Sequence, residues 1–479
     1  MRRISLCVGV VIALFIALFS GGVFVTSLSA RSHALQAVRE AVATGVIDRV
    51  VVLPFKPGTP LHVYAPHDCL ILSMLILPPL PQDPGMAAAV TPLQPLPEDQ
   101  LTIRFPDYPP FHQCQDLGRV VAALDAGDPM PTTAYYHRYL HGDRILAGLV
   151  LAMMPFGMAS GGLLLICWLL LGLLAAVAVR DWRRGADRPR AMAFVAVSVC
   201  LALFYGLPVY GWSFSFAPSD IVIFAFLLAS YRFPLCRLRP DRFVLLMSLF
   251  GALTAAFEFL TGAIPSGLSA LLVAIALGGA PDRKCLQTRL FGGVFWFSAT
   301  VVFCFAVKMA VVAALWSGTE LSAFVEQLSA RMGTRATLSA NEITQLSALG
   351  ISADHVQTSR TLASAYALAK IVYFGWILAF GSHAAGAAVV LGGPLLAVAR
   401  GSRALFRRTS AIGGRDRLRE WTFLAVVGVA PAWYVAFPNH TIEHAFFMVR
   451  PMVWPLAVFF AGLASRYRQK SESASLSMT

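Results

Sequence analysis

The sequence alternates long apolar runs with short clusters of arginine, and this alternation limits the chain to one class of fold. A helix needs about 20 apolar residues to cross the hydrocarbon core of a bilayer. Charged residues make up only 13% of the chain, whereas soluble domains have about a quarter. We therefore expect an all-α polytopic membrane protein with about ten transmembrane helices. The predicted spans are residues 4–25, 158–180, 191–209, 217–233, 243–262, 265–280, 291–316, 376–399, 421–438 and 446–464.

The basic residues occur in every second loop between these runs. Cytoplasmic loops of membrane proteins carry an excess of lysine and arginine, so an even number of crossings puts every cluster on the cytoplasmic side. This predicts a multi-pass protein of a bacterial inner (plasma) membrane with both termini cytoplasmic. The net charge of +13 then reflects topology and not a nucleic-acid surface. The clusters are residues 2–3, 180–190, 232–242, 283–289, 400–419 and 466–470.

Two polar segments interrupt the apolar runs. The first is rich in proline and too long for a simple connection, so it should be a structured, mixed α/β loop. We expect a helix at 32–46, strands at 50–54 and 61–64, and an interfacial helix at 145–155. The second segment should end in a juxtamembrane helix at 361–373. The predicted units are 1–29, the first transmembrane anchor helix; 30–157, an extracytoplasmic loop with juxtamembrane helices; 158–318, transmembrane helices 2–7; 319–375, a second extracytoplasmic loop; 376–465, transmembrane helices 8–10; and 466–479, a cytoplasmic tail.

The eight cysteines form no CxxC pair and no cluster with histidine, which speaks against a zinc or haem site. Only Cys69 and Cys114 lie in the first polar segment, where an extracytoplasmic location would oxidise thiols. They are a candidate disulfide. Their spacing in sequence does not establish that their Cα atoms come within bridging distance.

Asp68 is the first candidate catalytic residue. It stands between His67 and the apolar stretch 69–72, near the predicted membrane surface. A carboxylate in that position can take the proton of an acceptor hydroxyl as a general base. Aspartate is also a common helix N-cap, and the sequence leaves both interpretations open.

Glu258 is the second candidate catalytic residue, and it lies near the predicted outer end of the fifth span. Ionisable side chains at membrane depth are costly and commonly functional. Glu258 could hold a cation, bind a sugar hydroxyl or pair with Lys308 of the seventh span. The structural alternative for Lys308 is a salt bridge with Glu258.

The turn between the last two spans carries Asn439, His440 and His444, and Arg450 follows in the last span. Histidines four residues apart can share a metal, but the turn supplies no third ligand. We therefore assign these side chains to substrate binding, with Arg450 as a phosphate clamp. Alternatively, Arg450 reaches towards the membrane surface or pairs with Glu443.

The end of the first loop is aromatic and basic. Its candidate ligands for a lipid-linked phosphate are His137, Arg138, Tyr139, His141 and Arg144. An aromatic belt with headgroup contacts explains the same residues equally well. The sequence contains no phosphate-binding glycine loop, GxSxG or HExxH motif, and no cofactor is predicted.

Four motifs taken together resemble a family of bacterial polytopic membrane proteins from surface-polysaccharide loci. One helix, a large extracytoplasmic loop and further helices also form a layout similar to that of the GT-C glycosyltransferase superfamily. The motifs are His67-Asp68-Cys69-Leu70, Arg138-Tyr139-Leu140-His141-Gly142-Asp143, Phe257-Glu258-Phe259-Leu260-Thr261, and Asn439-His440-Thr441-Ile442-Glu443-His444 followed by Arg450.

The resemblance implies a GT-C-like fold and a membrane glycosyltransferase. Its partners would be a polyprenyl-phosphate-linked sugar, a glycan, lipid or protein acceptor, and membrane lipid, with no nucleic acid. Asp68 would be the general base, and Arg138, His141 and Arg450 would hold the donor phosphate.

This chain departs from the pattern that it resembles. Leu140 replaces an aromatic residue, Asp143 replaces a tyrosine and Glu258 replaces an aspartate. The paired acids often found in the superfamily are also absent at Asp68. These differences bear on activity more than on fold.

Two other functions remain open. A transporter or flippase of a lipid-linked saccharide predicts polar residues along a path through several helices, whereas most of the polar residues in this sequence cluster near one face. A non-catalytic envelope assembly protein predicts that Asp68 and Glu258 are dispensable. Convergence of Asp68, Glu258, His141 and His440 on one substrate-sized cleft would favour the enzyme.

Overall fold

The computed structural model describes a largely helical chain. The described residues are 2–47, 51–52, 60–61, 65–80, 87–96, 112–137, 139–185, 187–258, 262–316, 321–322, 325, 338, 340–379, 382–406 and 414–476.

The helices follow the order of the apolar runs. They are α1 (Arg2–Thr26), α2 (Leu28–Ala43), α3 (Ala65–Ile76), α4 (Ala87–Val90), α5 (His112–Ala126), α6 (Gly142–Leu151), α7 (Phe156–Arg183), α8 (Arg188–Phe204), α9 (Leu207–Tyr210), α10 (Ala217–Arg232), α11 (Pro240–Ala256), α12 (Ala263–Ala276), α13 (Arg283–Leu315), α14 (Ala340–Ala348), α15 (Ala353–Thr358), α16 (Arg360–Phe374), α17 (His383–Ala387), α18 (Gly393–Phe406), α19 (Gly414–Ala436), α20 (Pro438–Glu443), α21 (Ala445–Met448) and α22 (Val453–Leu476). Short 3-10 turns lie at Leu235–Arg237, Gly375–Ile377 and Arg450–Met452, and a π-helix at Ala388–Gly392 joins α17 to α18. Two antiparallel strand pairs lie in the first loop: β1 (Val51–Val52) with β2 (Pro60–Leu61), and β3 (Leu93–Pro95) with β4 (Thr133–Tyr135).

Each of the ten predicted spans contains a helix. Five of these helices have the length and composition of a membrane-crossing helix. The remaining five spans form α8, α10, α11, α12 and α19, which are shorter or less apolar. Helices satisfy their own backbone hydrogen bonds, as a lipid environment requires. The chain is therefore a helical membrane protein, and ten crossings remain a prediction. The five helices that meet the criteria are Arg2–Thr26, Phe156–Arg183, Arg283–Leu315, His383–Ser402 and Ala445–Ala464.

The helix ends gather into two groups. At one end, here called the arginine-rich end, Arg2 pairs with Asp241 at 3.4 Å and Arg415 donates to the carbonyl of Ala280 at 3.3 Å. Arg190 of α8 donates to a carbonyl in the last turn of α10. The helices that start or finish here run to the opposite end, where Asp68 lies, and we call it the Asp68 end.

The centre of the bundle is α12, which is buried along most of its length. It contacts α10, α11, α13 and α19. Nearby, Phe226 of α10 stacks on Phe250 of α11, with ring centroids 3.8 Å apart. Gly251 is required on α11 because a Cβ there would lie 2.6 Å from the backbone oxygen of Phe297 in α13. Such small residues allow membrane helices to approach closely and gain van der Waals contact.

The first loop folds against the Asp68 end. Helix α2 begins directly after α1, with Ser27 as its N-cap, and packs against α3 and α6. Helix α3 in turn contacts α5 and α6. The predicted helix at 32–46 is present as α2, the predicted strands overlap β1 and β2, and the predicted interfacial helix is α6.

The second polar segment covers the turn between the last two spans. Lys370 of α16 pairs with Glu342 at 2.5 Å and donates to the carbonyl of Ile442 at 2.7 Å. The predicted juxtamembrane helix at 361–373 is present as α16. A small separate apolar cluster stabilises this region; it consists of Leu338, Leu346, Val356, Ala363, Ala367 and Ile442.

The span predicted at 376–399 begins later than expected. Its helix starts at His383, because the preceding turn folds back against it. A Cβ on Gly386 would lie only 1.9 Å from the backbone nitrogen of Trp376, so this approach requires glycine. Hydropathy records an apolar run here but not the turn within it.

Candidate functional site

Asp68 lies in the first turn of α3, and its side chain is enclosed by protein with 1% of the residue exposed. Its Oδ1 accepts hydrogen bonds from the hydroxyl of Ser213 at 2.7 Å and from the backbone N–H of Ser215 at 3.2 Å. Both serines lie in the loop before α10. The bonded carboxylate oxygen therefore joins α3 to a distant segment, and the interpretation of Asp68 as the N-cap of its own helix is wrong.

The other carboxylate oxygen of Asp68, Oδ2, is buried and accepts no hydrogen bond within the described part of the chain. Burial raises the pKa of Asp68 to about 7, while the hydrogen bonds from Ser213 and Ser215 act in the opposite direction. One carboxylate oxygen is thus held by two hydrogen bonds and the other accepts none from the described residues, in a group whose pKa lies near neutral pH. This arrangement suits a proton acceptor.

The residue after Asp68, Cys69, forms a disulfide with Cys114 of α5, and their Cα atoms are 5.0 Å apart. The candidate pairing is confirmed. The disulfide ties α3 to α5 immediately beside Asp68. The loop that contains Ser213 and Ser215 holds the side chain of Asp68 through hydrogen bonds.

Replacing both Cys69 and Cys114 with serine should lower the free energy of unfolding by about 2–4 kcal/mol, because a crosslink restricts the unfolded chain. The bridge spans 45 residues. Thermal melting of the purified protein in detergent, without reductant, measures the effect. Reductant should lower the melting temperature of the wild type and leave that of the double variant unchanged. Equal melting of the two proteins without reductant would exclude a stabilising role.

A row of three histidine rings starts at His67, the other neighbour of Asp68. The His67 ring centroid lies 6.1 Å from that of His444, which lies 4.7 Å from that of His440. Burial lowers the pKa of His67 to about 4, so its ring is neutral at neutral pH and can donate or accept a hydrogen bond. Among the described residues no group of three or more His, Cys, Asp or Glu side chains has the arrangement of a metal site.

Asp143 and Glu258 place two more acids close to Asp68. Burial raises the pKa of Asp143 well above its usual range, and the charges of Glu258 and Asp68 add to this rise. Neither carboxylate oxygen of Asp143 has a hydrogen-bond partner within the described residues. Glu258 accepts a hydrogen bond from the backbone N–H of Ile264 at 2.9 Å, which helps to satisfy the start of α12.

Basic side chains lie in the same segment. His141 places Nε2 2.7 Å from the carbonyl oxygen of Tyr136. Burial lowers the pKa of His141 well below its usual range, and the charges of Lys308 and Arg144 lower it further. Arg144 donates from both terminal nitrogens to the carbonyl of Ala88, at 3.2 Å each. The segment 141–144 therefore contributes both an acid, Asp143, and the basic side chains His141 and Arg144.

Lys308 does not have the partner that the sequence suggested. Its ammonium group donates to the carbonyl of Val90 at 2.6 Å and to the hydroxyl of Thr91 at 2.8 Å. It therefore joins α13 to the first loop, and these contacts stand in place of the salt bridge with Glu258 that was the structural alternative.

Arg450 is buried, with 1% of the residue exposed, and forms an ion pair with Asp220 of α10. One guanidinium nitrogen, Nη2, donates to both carboxylate oxygens. Its guanidinium also lies 4.4 Å from the ring centroid of Tyr205 and 4.9 Å from that of Tyr210. The alternatives of a surface-reaching side chain and a pair with Glu443 are both wrong, because the side chain turns inward to Asp220. A phosphate that bound Arg450 would compete with Asp220 for the guanidinium.

The other predicted ligands are placed as follows. Tyr139 is 6% exposed, and its ring centroid lies 5.6 Å from that of Tyr136. Asn439 and His440 are buried in α20, and His444 follows at its end. Arg138 lies outside the described residues. The structure thus brings Asp68, Glu258 and His141 to one region through Asp143, with the histidine row beside Asp68.

Sequence reasoning missed several residues of this site. Ser213 and Ser215 gave no signal, since serines in a short loop are common. Asp143 was noted only as a departure from a family pattern, although a charge beside an apolar run was itself a signal.

No family model, curated protein or solved structure matches the chain. Fold and site nevertheless define a class. The chain is a helical membrane protein with a group of buried polar side chains at the Asp68 end of its bundle and a disulfide beside Asp68.

Proposed function

We propose that the protein is a membrane glycosyltransferase of the GT-C type. It would transfer a sugar from a polyprenyl-phosphate donor to an extracytoplasmic glycan, lipid or protein acceptor. One observation carries the proposal: Asp68 has a buried carboxylate oxygen without a hydrogen-bond partner among the described residues, at the end of the bundle opposite the arginine clusters. By the positive-inside rule that end faces the extracytoplasmic side of an inner membrane.

In the proposed reaction Oδ2 of Asp68 takes the proton of the acceptor hydroxyl while the acceptor oxygen attacks the anomeric carbon. The bond between that carbon and the phosphate oxygen breaks, and its electron pair leaves with polyprenyl phosphate. Ser213 and Ser215 keep the carboxylate oriented through Oδ1. General-base catalysis of this kind contributes a factor of about 10²–10⁴.

The leaving phosphate gains negative charge, which nearby basic groups can stabilise. His141, Arg144 and Lys308 are close enough for the two cations to depress the pKa of the histidine. Because Arg450 is engaged by Asp220, we assign the phosphate-binding part first to Arg144 and His141.

The observed arrangement favours an enzyme over a transporter or flippase. Inverted-repeat transporters place their polar site near the bilayer midplane, between helices. Here Asp68, Asp143 and His141 all lie beside the helix ends at the Asp68 end. Because Asp68 is 1% exposed, an acceptor can reach it only when the segments around α3 move apart.

The direct test uses the full chain reconstituted in nanodiscs with a panel of polyprenyl-phosphate sugars. Mass spectrometry should detect polyprenyl phosphate released by the wild type in the presence of a membrane-extract acceptor. Movement of intact sugar lipid across a vesicle bilayer, without cleavage of the glycosyl bond, would instead establish the transport alternative.

The pH dependence of the transferase should follow Asp68. A base works when deprotonated, so activity should rise with pH around a midpoint of about 7, the pKa that burial gives this carboxyl. Ser213→Ala removes a donor that stabilises the charged form. It should therefore raise the pKa and move the midpoint upward by roughly one pH unit.

The matched control for the pH profile is Ser73→Ala, because Ser73 is also buried on α3 but donates to the carbonyl of Cys69. That variant should keep the wild-type midpoint. A midpoint that is the same in all three proteins would show that another group sets the profile.

A further inference from the structure

A cavity of about 470 Å³ lies where α1 meets α2, away from Asp68. Its volume is within the range of small-molecule sites. The walls come from α2, the end of α3 and α5, and they are apolar apart from two serines and one arginine. The lining residues are Leu28, Ser29, Arg31, Ser32, Leu35, Ile76 and Leu124.

The cavity lies at the end of the first predicted membrane span. It begins just beyond Thr26, the last residue of a helix that is long and apolar enough to cross the membrane. Leu28 at its edge is 77% exposed, and Met153, which follows the neighbouring α6, is 81% exposed. Large apolar side chains with this exposure are expected where lipid covers them.

Arg31 supplies the charge at this cavity. Among the described residues its guanidinium forms no ion pair, in contrast to Arg39 on the same helix, which pairs with Asp125. Arg31 also borders a narrow cleft that contains Arg144, so a second cation lies behind it. The guanidinium of Arg31 is complementary to the phosphate of a lipid headgroup, and the apolar wall is complementary to an acyl chain.

We propose that this cavity binds an anionic phospholipid of the bilayer, with its phosphate on Arg31 and an acyl chain along Leu28, Leu35 and Leu124. The lipid would not be the sugar donor. Ile76 lies eight residues after Asp68 on α3, which corresponds to roughly 12 Å along the helix, too far for a reacting bond beside Asp68. The acyl-chain part of the site is thus separate from the reacting bond, whereas Arg31 borders the same cleft as Arg144, to which we assign the donor phosphate.

Native mass spectrometry of the delipidated full-length protein tests this proposal. We expect one phosphatidylglycerol to bind at least about tenfold more tightly than phosphatidylcholine, a difference of about 1.4 kcal/mol. Arg31→Gln should remove that preference, while Arg39→Gln should keep it. Leu124→Trp fills the cavity and retains Arg31, so it should weaken the binding of both lipids. It tests the cavity independently if Arg31→Gln fails to fold.

Three results would overturn the proposal. The first is equal binding of the two phospholipids, or a preference that survives in Arg31→Gln. The second is displacement of phosphatidylglycerol by millimolar inorganic phosphate, which would make the site a plain anion site. The third is selective binding of undecaprenyl phosphate over phosphatidylglycerol, which would make it a carrier-lipid site.

Discussion

Asp68→Asn should abolish sugar transfer while the protein remains inserted at wild-type abundance. Asparagine keeps the shape of the side chain and can still accept the hydrogen bond from Ser213, but it cannot take a proton. The expected loss is about 10²–10⁴-fold, the usual contribution of a general base. Complementation of a strain lacking the gene, with surface glycan or glycoprotein measured by mass spectrometry, gives the readout.

The control is Asp128→Asn, an exposed acid at the end of α5 in the same loop. It should restore the glycan fully, at the same membrane abundance. Full restoration by Asp68→Asn as well would reduce Asp68 to a structural residue. The assembly and transport alternatives would then move ahead of the enzyme.

Arg450→Met should destabilise the protein by about 3–5 kcal/mol, because it leaves Asp220 buried without its partner. Asp220 has 0% exposure, so water cannot replace the lost guanidinium. Thermal melting in detergent and the amount of protein recovered from membranes measure the loss.

The double variant Asp220→Asn with Arg450→Met separates structure from chemistry. Removing both charges avoids the unpaired carboxylate, so most of the lost stability should return. Sugar transfer by this stable double variant would identify Arg450 as a structural residue. A stable but inactive double variant would support the phosphate clamp predicted from the sequence. Wild-type melting of the single variant would contradict the energetic role of the ion pair.

The helices of the bundle were predictable because lipid imposes a simple rule. A chain that crosses hydrocarbon must be apolar and helical over a set length, so runs such as 158–180 read directly as helices. The pairing of Cys69 with Cys114 was also within reach, since the first loop offers no other cysteine. The start of the helix at His383, later than the predicted 376, could not be predicted, because the close approach of two backbone segments leaves no hydropathy signal.

The sequence predicted several residues of the candidate site, but not the partners that their side chains bind. Asp68, Glu258 and His141 stood out as polar residues beside apolar runs. The partners of the charged residues depend on helix packing across long stretches of chain: Arg450 and Asp220 are 230 residues apart. A single sequence carries no direct record of that contact, so Glu443, the nearest acid in sequence, was considered instead.

The bridge between Cys69 and Cys114 also has a consequence for quality control. In the orientation that we propose, the first loop is extracytoplasmic; in a copy whose first loop failed to cross the membrane, the thiols would stay reduced and α3 would lack its tether beside Asp68. We expect such a misoriented copy to be silent, not active on the wrong face. The disulfide between Cys69 and Cys114 would thus form only in molecules inserted with the first loop on the extracytoplasmic side.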